Sequence, residues 1–444
     1  MATILIDLPS REISSAISLA KELSQTFDTY IDDQDGYFYR PGGSLTRRAR
    51  NDTNFIIVPS YDPIRTKYLR IRAIKAKVPL ILYHTEQIFS PEAFGEKLCK
   101  NDPFFCEDVA AHLVWGKFMA FAAVARGVDP ERIFIVGNIR ISSSLTNTSK
   151  NGDAEIQNKK ILLPTSFDVA DYSDEEWQNF CTEYNISEKE CHHTLNKKMR
   201  LNWLDVVLTL AKTGAKLRVR THPGESLNFY KANLPESVEL SDGTKNNLDT
   251  DLDWCDATII SNHSTLSYDL YNRKVEFIML DFGSEGNYYP AIDDGTTAHN
   301  DFQYDMWDLE AAKSKEIVKQ KLGYFIEYND AKIEQRVHLV LKFLNGKSLA
   351  PPKFRNYDVA NFLAYYLRVA SVSLNYILGA VGIKFLTDKI QNSESLWVKA
   401  GHSITHFENK NNIIITRKMH STNTVSGENF EFRKCGVTKC WLVE

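Results

Sequence analysis

The stretch Arg218-Val-Arg-Thr-His-Pro-Gly-Glu225 decides the fold of this chain, together with Ser261-Asn-His-Ser-Thr265 further along. The first stretch follows an apolar run and places a histidine where a strand should end. The second follows the apolar run Ala257-Thr-Ile-Ile260 and precedes a segment with helical character. Both stretches are therefore expected at the carboxyl ends of strands in an α/β sheet, where such sheets bind ligands.

The residue types in these stretches are those of an anion site. The imidazole of His222, the hydroxyls of Ser264 and Thr265, and backbone N–H groups at a helix start can together hold a phosphate. We therefore predict a nucleotide phosphate site that includes these residues and Pro223, without a Gly-rich P-loop. Glu225 is a candidate for holding a ribose hydroxyl. Ordinary capping of a strand or helix is the alternative for each residue.

Length and composition exclude several classes of protein. At 444 residues the chain is too long for one ordinary domain, so two domains and an extension are expected. A hydrophobic content of 43% and a charged content of 25% are typical of a soluble globular protein. The net charge of -4 argues against a nucleic-acid partner.

The cysteines and the N-terminus indicate the cellular compartment. The 7 cysteines have no regular spacing and predict no disulfide framework. Cys435 and Cys440 lack a second ligand pair, so we expect no zinc site. The N-terminus resembles a strand and lacks the basic region of a secretory signal, so a cytoplasmic location is expected.

Strand and helix patterns alternate in two blocks. In residues 1–145 short apolar runs alternate with amphipathic stretches, which predicts an N-terminal Rossmann-like domain. The polar residues 146–159 are expected to form a linker. The alternation resumes over residues 160–350, which predicts a second Rossmann-like domain. Residues 351–444 should form a helical return and a polar extension with one strand-like run, residues 412–416.

The most apolar segment, residues 361–385, is interrupted by Arg368 and by Ser371, Ser373 and Asn375. A membrane-spanning helix needs roughly 20 predominantly apolar residues. We therefore expect a buried or interdomain helix pair. The alternative is a helix that lies on a membrane surface, which would give peripheral contact with the inner face of the cell membrane.

Several motifs occur in a particular order along the chain. Asp32-Asp-Gln-Asp-Gly36 is followed by His222-Pro223 and then by Ser264-Thr265. Further motifs are Val114-Trp-Gly-Lys117, Arg132-Ile-Phe-Ile-Val-Gly-Asn-Ile-Arg140 and Ile161-Leu-Leu-Pro-Thr-Ser-Phe-Asp168. In this order the chain resembles the bacterial Kdo transferases of surface-polysaccharide assembly, which use CMP-Kdo. It is more distantly similar to bacterial sialyltransferases, which use CMP-sialic acid. The resemblance covers most of residues 25–285.

The resemblance implies the GT-B fold, an α/β architecture of two Rossmann-like domains facing a cleft, with a C-terminal helical extension. In that fold residues 1–145 would form the acceptor side and residues 160–350 the CMP-sugar-binding domain. It also implies a glycosyltransferase that moves Kdo from CMP-Kdo to a lipid-linked acceptor in the synthesis of a surface polysaccharide, such as O-antigen or capsule. No Asp-x-Asp motif is placed to hold a metal at the phosphate site, so we expect neither a metal nor a cofactor beyond the donor substrate.

Carboxylates are expected near the anomeric carbon, because sugar transfer passes through an oxocarbenium-like state. Asp33 and Asp35 lie in a cluster of like charges, which raises a pKa and suits a general base. A solvated turn is the alternative. In a strict reading of the acidic motif Gln34 occupies the first carboxylate position, which leaves the acidic residue unassigned.

A second group of carboxylates follows predicted strands. Asp168 and Asp171 come after Lys160-Ile-Leu-Leu-Pro164, and the resemblance implies that this loop supplies the nucleophile of a retaining enzyme. Asp168 is preferred, and helix capping is the alternative for both. Glu86 ends another strand and is a candidate for binding the acceptor or the donor sugar.

Polar and basic residues complete the predicted site. Asn138 and Arg140 begin the loop after the last strand of the N-terminal domain, where they could line the cleft. A basic cluster offers a guanidinium for the donor carboxylate, although a solvated face suits most of its members. The cluster consists of Arg40, Arg47, Arg48 and Arg50.

Three other functions remain open. One is an inverting sialyltransferase using CMP-sialic acid. Another is a CDP-alditol phosphotransferase, which shares the His-Pro and Ser/Thr motifs but usually carries a strongly basic membrane-binding face. The third is a noncatalytic nucleotide-sugar-binding module, which Gln34 in the acidic motif would favour.

Overall fold

The structure is a computed structural model. It describes residues 2–6, 9–27, 29–33, 54–59, 67–84, 87, 105–144, 158–167, 169–184, 193–222, 225–243, 246, 248–262, 264–283, 297–298, 306–330, 332–355, 359, 424–425, 428–429, 432–434 and 440–443.

The chain forms two compact units. Unit 1 contains Met1–Ser143, Tyr324–Glu394 and Asn412–Glu444, and unit 2 contains Ser144–Gly323 and Ser395–Asn411. Each unit holds a mainly parallel sheet with helices between its strands. The predicted α/β class with two Rossmann-like units is therefore confirmed.

Unit 1 is built on an eight-stranded sheet. Its strands are β1 (Ala2–Ile6), β2 (Thr29–Asp33), β3 (Phe55–Val58), β4 (Leu80–Leu82), β5 (Val109–Val114), β6 (Ile133–Ile135), β15 (Phe432–Lys434) and β16 (Cys440–Val443). Their order is β15-β16-β2-β1-β3-β4-β5-β6, and the pairs from β2 to β6 are parallel. All four residues of β3 are buried, as expected for a strand covered on both faces.

The helices of unit 1 lie between these strands and after unit 2. They are α1 (Pro9–Leu23), α2 (Lys67–Ala76), α3 (Phe105–Asp108), α4 (Lys117–Ala125), a 3-10 turn (Pro130–Arg132), α5 (Ile139–Ser144) and α12 (Ile333–Asn345).

Helix α12 packs on α1. It buries a stripe at helical spacing that includes Ile333, Val337 and Leu341. Polar contacts also join the two helices, including a 2.6 Å hydrogen bond from Ser18 Oγ to Glu334 Oε1. Residues 324–345 therefore lie in unit 1, whereas the sequence placed them in the domain spanning 160–350.

Unit 2 is built on a six-stranded sheet. Its strands are β7 (Lys160–Pro164), β8 (Lys216–Arg220), β9 (Glu239–Ser241), β10 (Ala257–Ser261), β11 (Glu276–Asp281) and β12 (Thr297–Ala298). They are parallel, in the order β12-β11-β10-β7-β8-β9. The helices are α6 (Asp174–Tyr184), α7 (His193–Ala211), α8 (Leu227–Asn233), α9 (Leu248–Trp254), α10 (Leu266–Arg273) and α11 (Trp307–Phe325).

The core of unit 2 lies between β7, β8, β10, β11 and the helices that cover them. Trp203 of α7 and Tyr230 of α8 are fully buried and pack edge to face, with ring centroids 5.6 Å apart. Phe167, directly after β7, packs against the other side of this cluster at 6.1 Å from Trp203. A rigid aromatic layer therefore lies beneath the carboxyl end of β7.

The sequence predicted a polar C-terminal extension with a single strand-like run. In the structure, the described residues from 424 onward form four strands. β13 (Thr424–Val425) pairs with β14 (Glu428–Asn429), and β16 pairs antiparallel with β2. The predicted run 412–416, the apolar segment 361–385 and most of the linker 146–159 lie outside the described residues. Among the helices that the structure describes, none has the length and apolar character needed to cross a membrane. Peripheral membrane contact stays a prediction.

Candidate functional site

Three adjacent loops leave one edge of the unit 2 sheet. Strand β7 lies between β10 and β8, and parallel strands all end at the same edge, where α/β sheets bind ligands. Residues 165–167 follow β7, His222 follows β8, and Ser264 and Thr265 follow β10. The predicted phosphate-binding residues are thus brought to one edge, on loops roughly 5 Å apart from strand to strand.

Glu225 is a buried carboxylate that ties the loop after β8 to the loop after β7. Its Oε1 accepts hydrogen bonds of 2.7 Å from Thr165 Oγ1 and from the backbone N of Phe167. Its Oε2 accepts one from the phenol of Tyr230. Burial raises the pKa of Glu225, opposed first by the charge of His222 and then by these hydrogen bonds. Glu225 therefore serves as a buttress under the edge, and its ribose contact stays a prediction.

His222 is half-buried, and its backbone is fixed on both sides. Its N–H donates to Thr165 Oγ1 at 2.9 Å, and its carbonyl accepts from the N–H of Glu225 at 2.9 Å. These backbone hydrogen bonds fix the point at which the imidazole leaves the chain. The neighbouring Pro223 lies outside the described residues.

A buried ion pair supports the same loop from the side of β9. Arg220, the last residue of β8, donates from Nη1 to Asp251 Oδ2 at 2.6 Å, and both residues are buried. Arg220 Nη2 also donates to the carbonyl of Gly243 at 3.4 Å. Gly243 packs so closely that an added Cβ would lie 2.0 Å from the carbonyl oxygen of Thr221. The chain around His222 is therefore held from β7 and from β9.

Ser264 and Thr265 lie at the start of α10. Ser264 Oγ accepts from the backbone N of Leu266 at 3.3 Å, so its hydroxyl caps the helix. Thr265 has helical backbone angles, and its side chain makes no capping hydrogen bond. The described contacts thus show the capping role for Ser264, and phosphate binding by either residue stays a prediction.

Asp171 is engaged by a buried arginine. Its Oδ1 accepts from Arg200 Nη1 at 2.5 Å, and its Oδ2 accepts from the backbone N of Ser226 at 2.5 Å. The guanidinium of Arg200 also lies 3.8 Å from the ring centroid of Phe229. These contacts neutralise the buried cation and stabilise the start of α8, and a catalytic role for Asp171 stays a prediction. Asp168, the preferred residue, lies outside the described residues.

In unit 1, Asn138 and Arg140 follow β6. Asn138 is buried, and its Oδ1 accepts from the backbone N of Arg140 at 3.0 Å, so it caps α5. Tyr83, after β4, donates to the carbonyl of Gly137 at 2.7 Å and accepts from the N–H of Ile139 at 2.9 Å. Burial raises the pKa of Tyr83. These contacts join the ends of β4 and β6, and a donor-binding role for Asn138 or Arg140 stays a prediction.

The segment after α11 lies against this edge of unit 1. A Cβ on Gly116 would meet the carbonyl oxygen of Phe325 at 2.5 Å, and one on Gly137 would meet that of Tyr328 at 2.7 Å. Gly137 also has a φ of +92°, a conformation that suits glycine. The ends of β5 and β6 are therefore covered by chain that belongs to the same unit.

The side chains of the remaining predicted carboxylates lie outside the described residues. Asp33 ends β2, paired in register with Ile6, but its side chain lies outside the described residues. Asp35 and Glu86 lie entirely outside them. Among the side chains that the structure describes, no group of three or more His, Cys, Asp and Glu residues is arranged to hold a metal ion.

Sequence reasoning missed the groups that hold the edge in place. Arg218 and Arg220 alternate in a buried strand, and buried arginines need a carboxylate partner. That signal was available, but it did not identify the partner as Asp251, which lies on α9. Thr165 directly follows a buried strand within a motif already noted, and Tyr230 carried no signal beyond helical spacing.

No protein-family model and no curated protein sequence matches this chain. Solved structures are similar to it at low identity. MnaA from S. aureus with UDP is 14% identical, covers 80% of this chain and 99% of its own length, and gives a TM-score of 0.49. UDP-GlcNAc 2-epimerase from Neisseria meningitidis bound to UDP-GlcNAc is 10% identical, covering 78% and 99%, with a TM-score of 0.46. The wall teichoic acid polymerase TagF is 11% identical, covering 78% and 89%, with a TM-score of 0.47. At these values the similarities carry no conclusion about substrate or mechanism.

Proposed function

We propose that this protein is a glycosyltransferase that uses a sugar nucleotide to build a cell-surface glycan. One observation carries the proposal: His222 is anchored at the carboxyl edge of the unit 2 sheet, and only the loop after β7 lies in strand order between it and the loop of Ser264 and Thr265. This is the edge at which open α/β sheets bind nucleotides. A half-buried imidazole there suits a phosphate group.

His222 would act on the leaving nucleotide. As the bond to the sugar breaks, negative charge grows on the phosphate oxygens, and a preorganised donor stabilises that charge more than it stabilises the bound substrate. The supports from Thr165, Glu225 and Arg220 hold the backbone that carries this donor before the reaction starts. The proposal therefore needs no metal at the phosphate.

The specific donor we propose is CMP-Kdo, with a lipid-linked surface polysaccharide as acceptor. Its support is the order of the motifs around Asp33, His222 and Ser264. CMP-sialic acid is the alternative sugar donor. A CDP-alditol phosphotransferase is the second candidate, because the residue types described at this edge suit a phosphate group and do not point to a particular sugar.

Retention of configuration through Asp168 is the proposed stereochemical course. Its first support is that the loop after β7 resembles the Kdo-transferase loop that supplies the nucleophile. Its second support is that Asp171 is paired with Arg200, so we prefer Asp168 as the nucleophile in that loop. Intact mass spectrometry after mixing with CMP-Kdo should show an added Kdo mass that Asp168→Ala abolishes. An inverted product without an adduct would return catalysis to Asp33 or Asp35 as general base.

The function is tested by donor turnover. The protein is incubated separately with CMP-Kdo, CMP-sialic acid, CDP-glycerol and UDP-GlcNAc, and the released nucleotide is measured by chromatography. We expect CMP release from CMP-Kdo, with and without EDTA, and its loss in His222→Ala. Lys212→Ala, a change at an exposed residue near the end of α7, is the control. Absence of release from every donor would overturn the proposal.

A further inference from the structure

Strand order places Ser166 between the loops that begin at His222 and Asn262, because β7 lies between β8 and β10. Pro164 of β7 pairs with Arg220 of β8, so two residues further on Ser166 is level with His222. On its other side β7 pairs with β10, the strand that leads to Asn262. Neighbouring strands are roughly 5 Å apart. Ser166 thus occupies the middle position of the edge proposed to bind the nucleotide.

The hydrogen-bond ladder continues past the strand ends, which supports this count. The N–H of Thr165 donates to the carbonyl of Arg220 at 2.9 Å, and the N–H of His222 donates to Thr165 Oγ1 at 2.9 Å. The chains that follow β7 and β8 therefore still run side by side where Ser166 and His222 occur.

The side chain of Ser166 is presented to solvent by its two neighbours. Thr165 and Phe167 are buried, and both are bonded to Glu225 Oε1 at 2.7 Å. Ser166 itself is exposed, and within the described part of the chain its hydroxyl has no hydrogen-bond partner. An exposed hydroxyl between two fixed residues lies where a ligand at this edge can reach it.

We infer that Ser166 binds a phosphate oxygen of the nucleotide, as the central contact between His222 and the loop that begins at Asn262. This inference rests on the proposed function, and it names a residue that sequence reasoning did not single out. A serine hydroxyl can donate to a phosphate oxygen, and hydrogen bonds to charged groups are the stronger ones.

The test measures binding of CMP, CDP and inorganic pyrophosphate to the full chain by isothermal titration calorimetry. Ser166→Ala should weaken nucleotide binding about tenfold, the loss of one hydrogen bond to a charged group. Ser166→Asp should abolish it, because a carboxylate there repels the phosphate. The control is Ser237→Asp, an exposed serine between α8 and β9, at the opposite edge of the sheet. Circular dichroism checks that each variant is folded.

The outcomes separate this inference from the proposed function. If the wild type binds nucleotide, His222→Ala weakens it, and both Ser166 variants bind like the wild type, the Ser166 contact is wrong while the function stands. If the wild type binds none of the three probes, both are wrong. If Ser237→Asp weakens binding as much as Ser166→Asp, the effect is general charge and the contact is likewise wrong.

Discussion

Replacing Glu225 should loosen the carboxyl edge of unit 2 without unfolding the rest of the chain. In Glu225→Ala the hydroxyl of Thr165, the N–H of Phe167 and the phenol of Tyr230 lose their acceptor in a buried place. In Glu225→Gln one side-chain oxygen remains to accept from Thr165 and Phe167. The two variants therefore separate the loss of hydrogen bonding from the loss of charge.

The expected magnitudes follow from these three contacts. A buried polar group left without a partner costs about 1–3 kcal/mol, and the costs are not additive, so Glu225→Ala should lose on the order of 3 kcal/mol. Glu225→Gln should lose about 1 kcal/mol at low pH. Because burial raises the pKa of Glu225 above its ordinary value of 4.5, the wild type should lose stability as the pH rises through the raised value. Glu225→Gln should lack that loss.

Hydrogen exchange followed by mass spectrometry measures the effect locally, which suits a chain of two units. Peptides covering 161–167 and 225–233 should lose protection in Glu225→Ala, while peptides covering β3 and β5 of unit 1 stay unchanged. Glu236→Ala, at an exposed glutamate in the same unit, is the control. Equal amide protection in Glu225→Ala and Glu236→Ala would refute the supporting role of Glu225. The same conclusion would follow if Glu225→Gln lost as much protection as Glu225→Ala.

Four further predictions concern separate parts of the chain. Burial lowers the pKa of His112 from 6.5 to about 3. Below pH 6.5 only the unfolded chain takes up that proton, so the wild type should lose stability as the pH falls below this value. In urea denaturation measured against pH, His112→Leu should show less of this loss. Gly243→Ala should cost about 1–3 kcal/mol in urea denaturation, because its Cβ would lie 2.0 Å from the carbonyl oxygen of Thr221. Gly323→Ala, within α11 and with nothing inside 4 Å, should gain about 0.5–1 kcal/mol, and a loss there would contradict the packing. His222→Ala should lose roughly 100-fold in transfer rate, and Mg²⁺-dependent activity that ignores this change would contradict the site assignment.

Strand ends were predictable because the pattern that marks them is local. The apolar run before His222 and the run before Ser264 each stop at a polar residue, and the structure ends β8 and β10 there. The partners of Glu225 were not predictable, because they come from β7 and α8. Bringing them together depends on the strand order β10-β7-β8, which the spacing of residues in one sequence does not specify.

The position of α12 shows the same limit. Its pattern of Ile333, Val337 and Leu341 predicts a helix with one buried face, and that helix is present. An amphipathic pattern states that a face is buried but not which surface buries it. Sequence proximity favoured unit 2, whereas the packing of α12 on α1 places it in unit 1.

The return of the chain to unit 1 at Tyr324 has a consequence for synthesis on the ribosome. The stretch Ser144–Gly323 that makes up most of unit 2 is continuous, so its sheet and core can close as soon as it has emerged. Unit 1 must wait for α12, and its sheet gains β16 only from residues 440–443. We expect the unit that comes second in the sequence to fold first, reversing the usual order of vectorial folding. A nascent chain that has emerged only as far as Gly323 would then carry a folded second unit behind an incomplete first one.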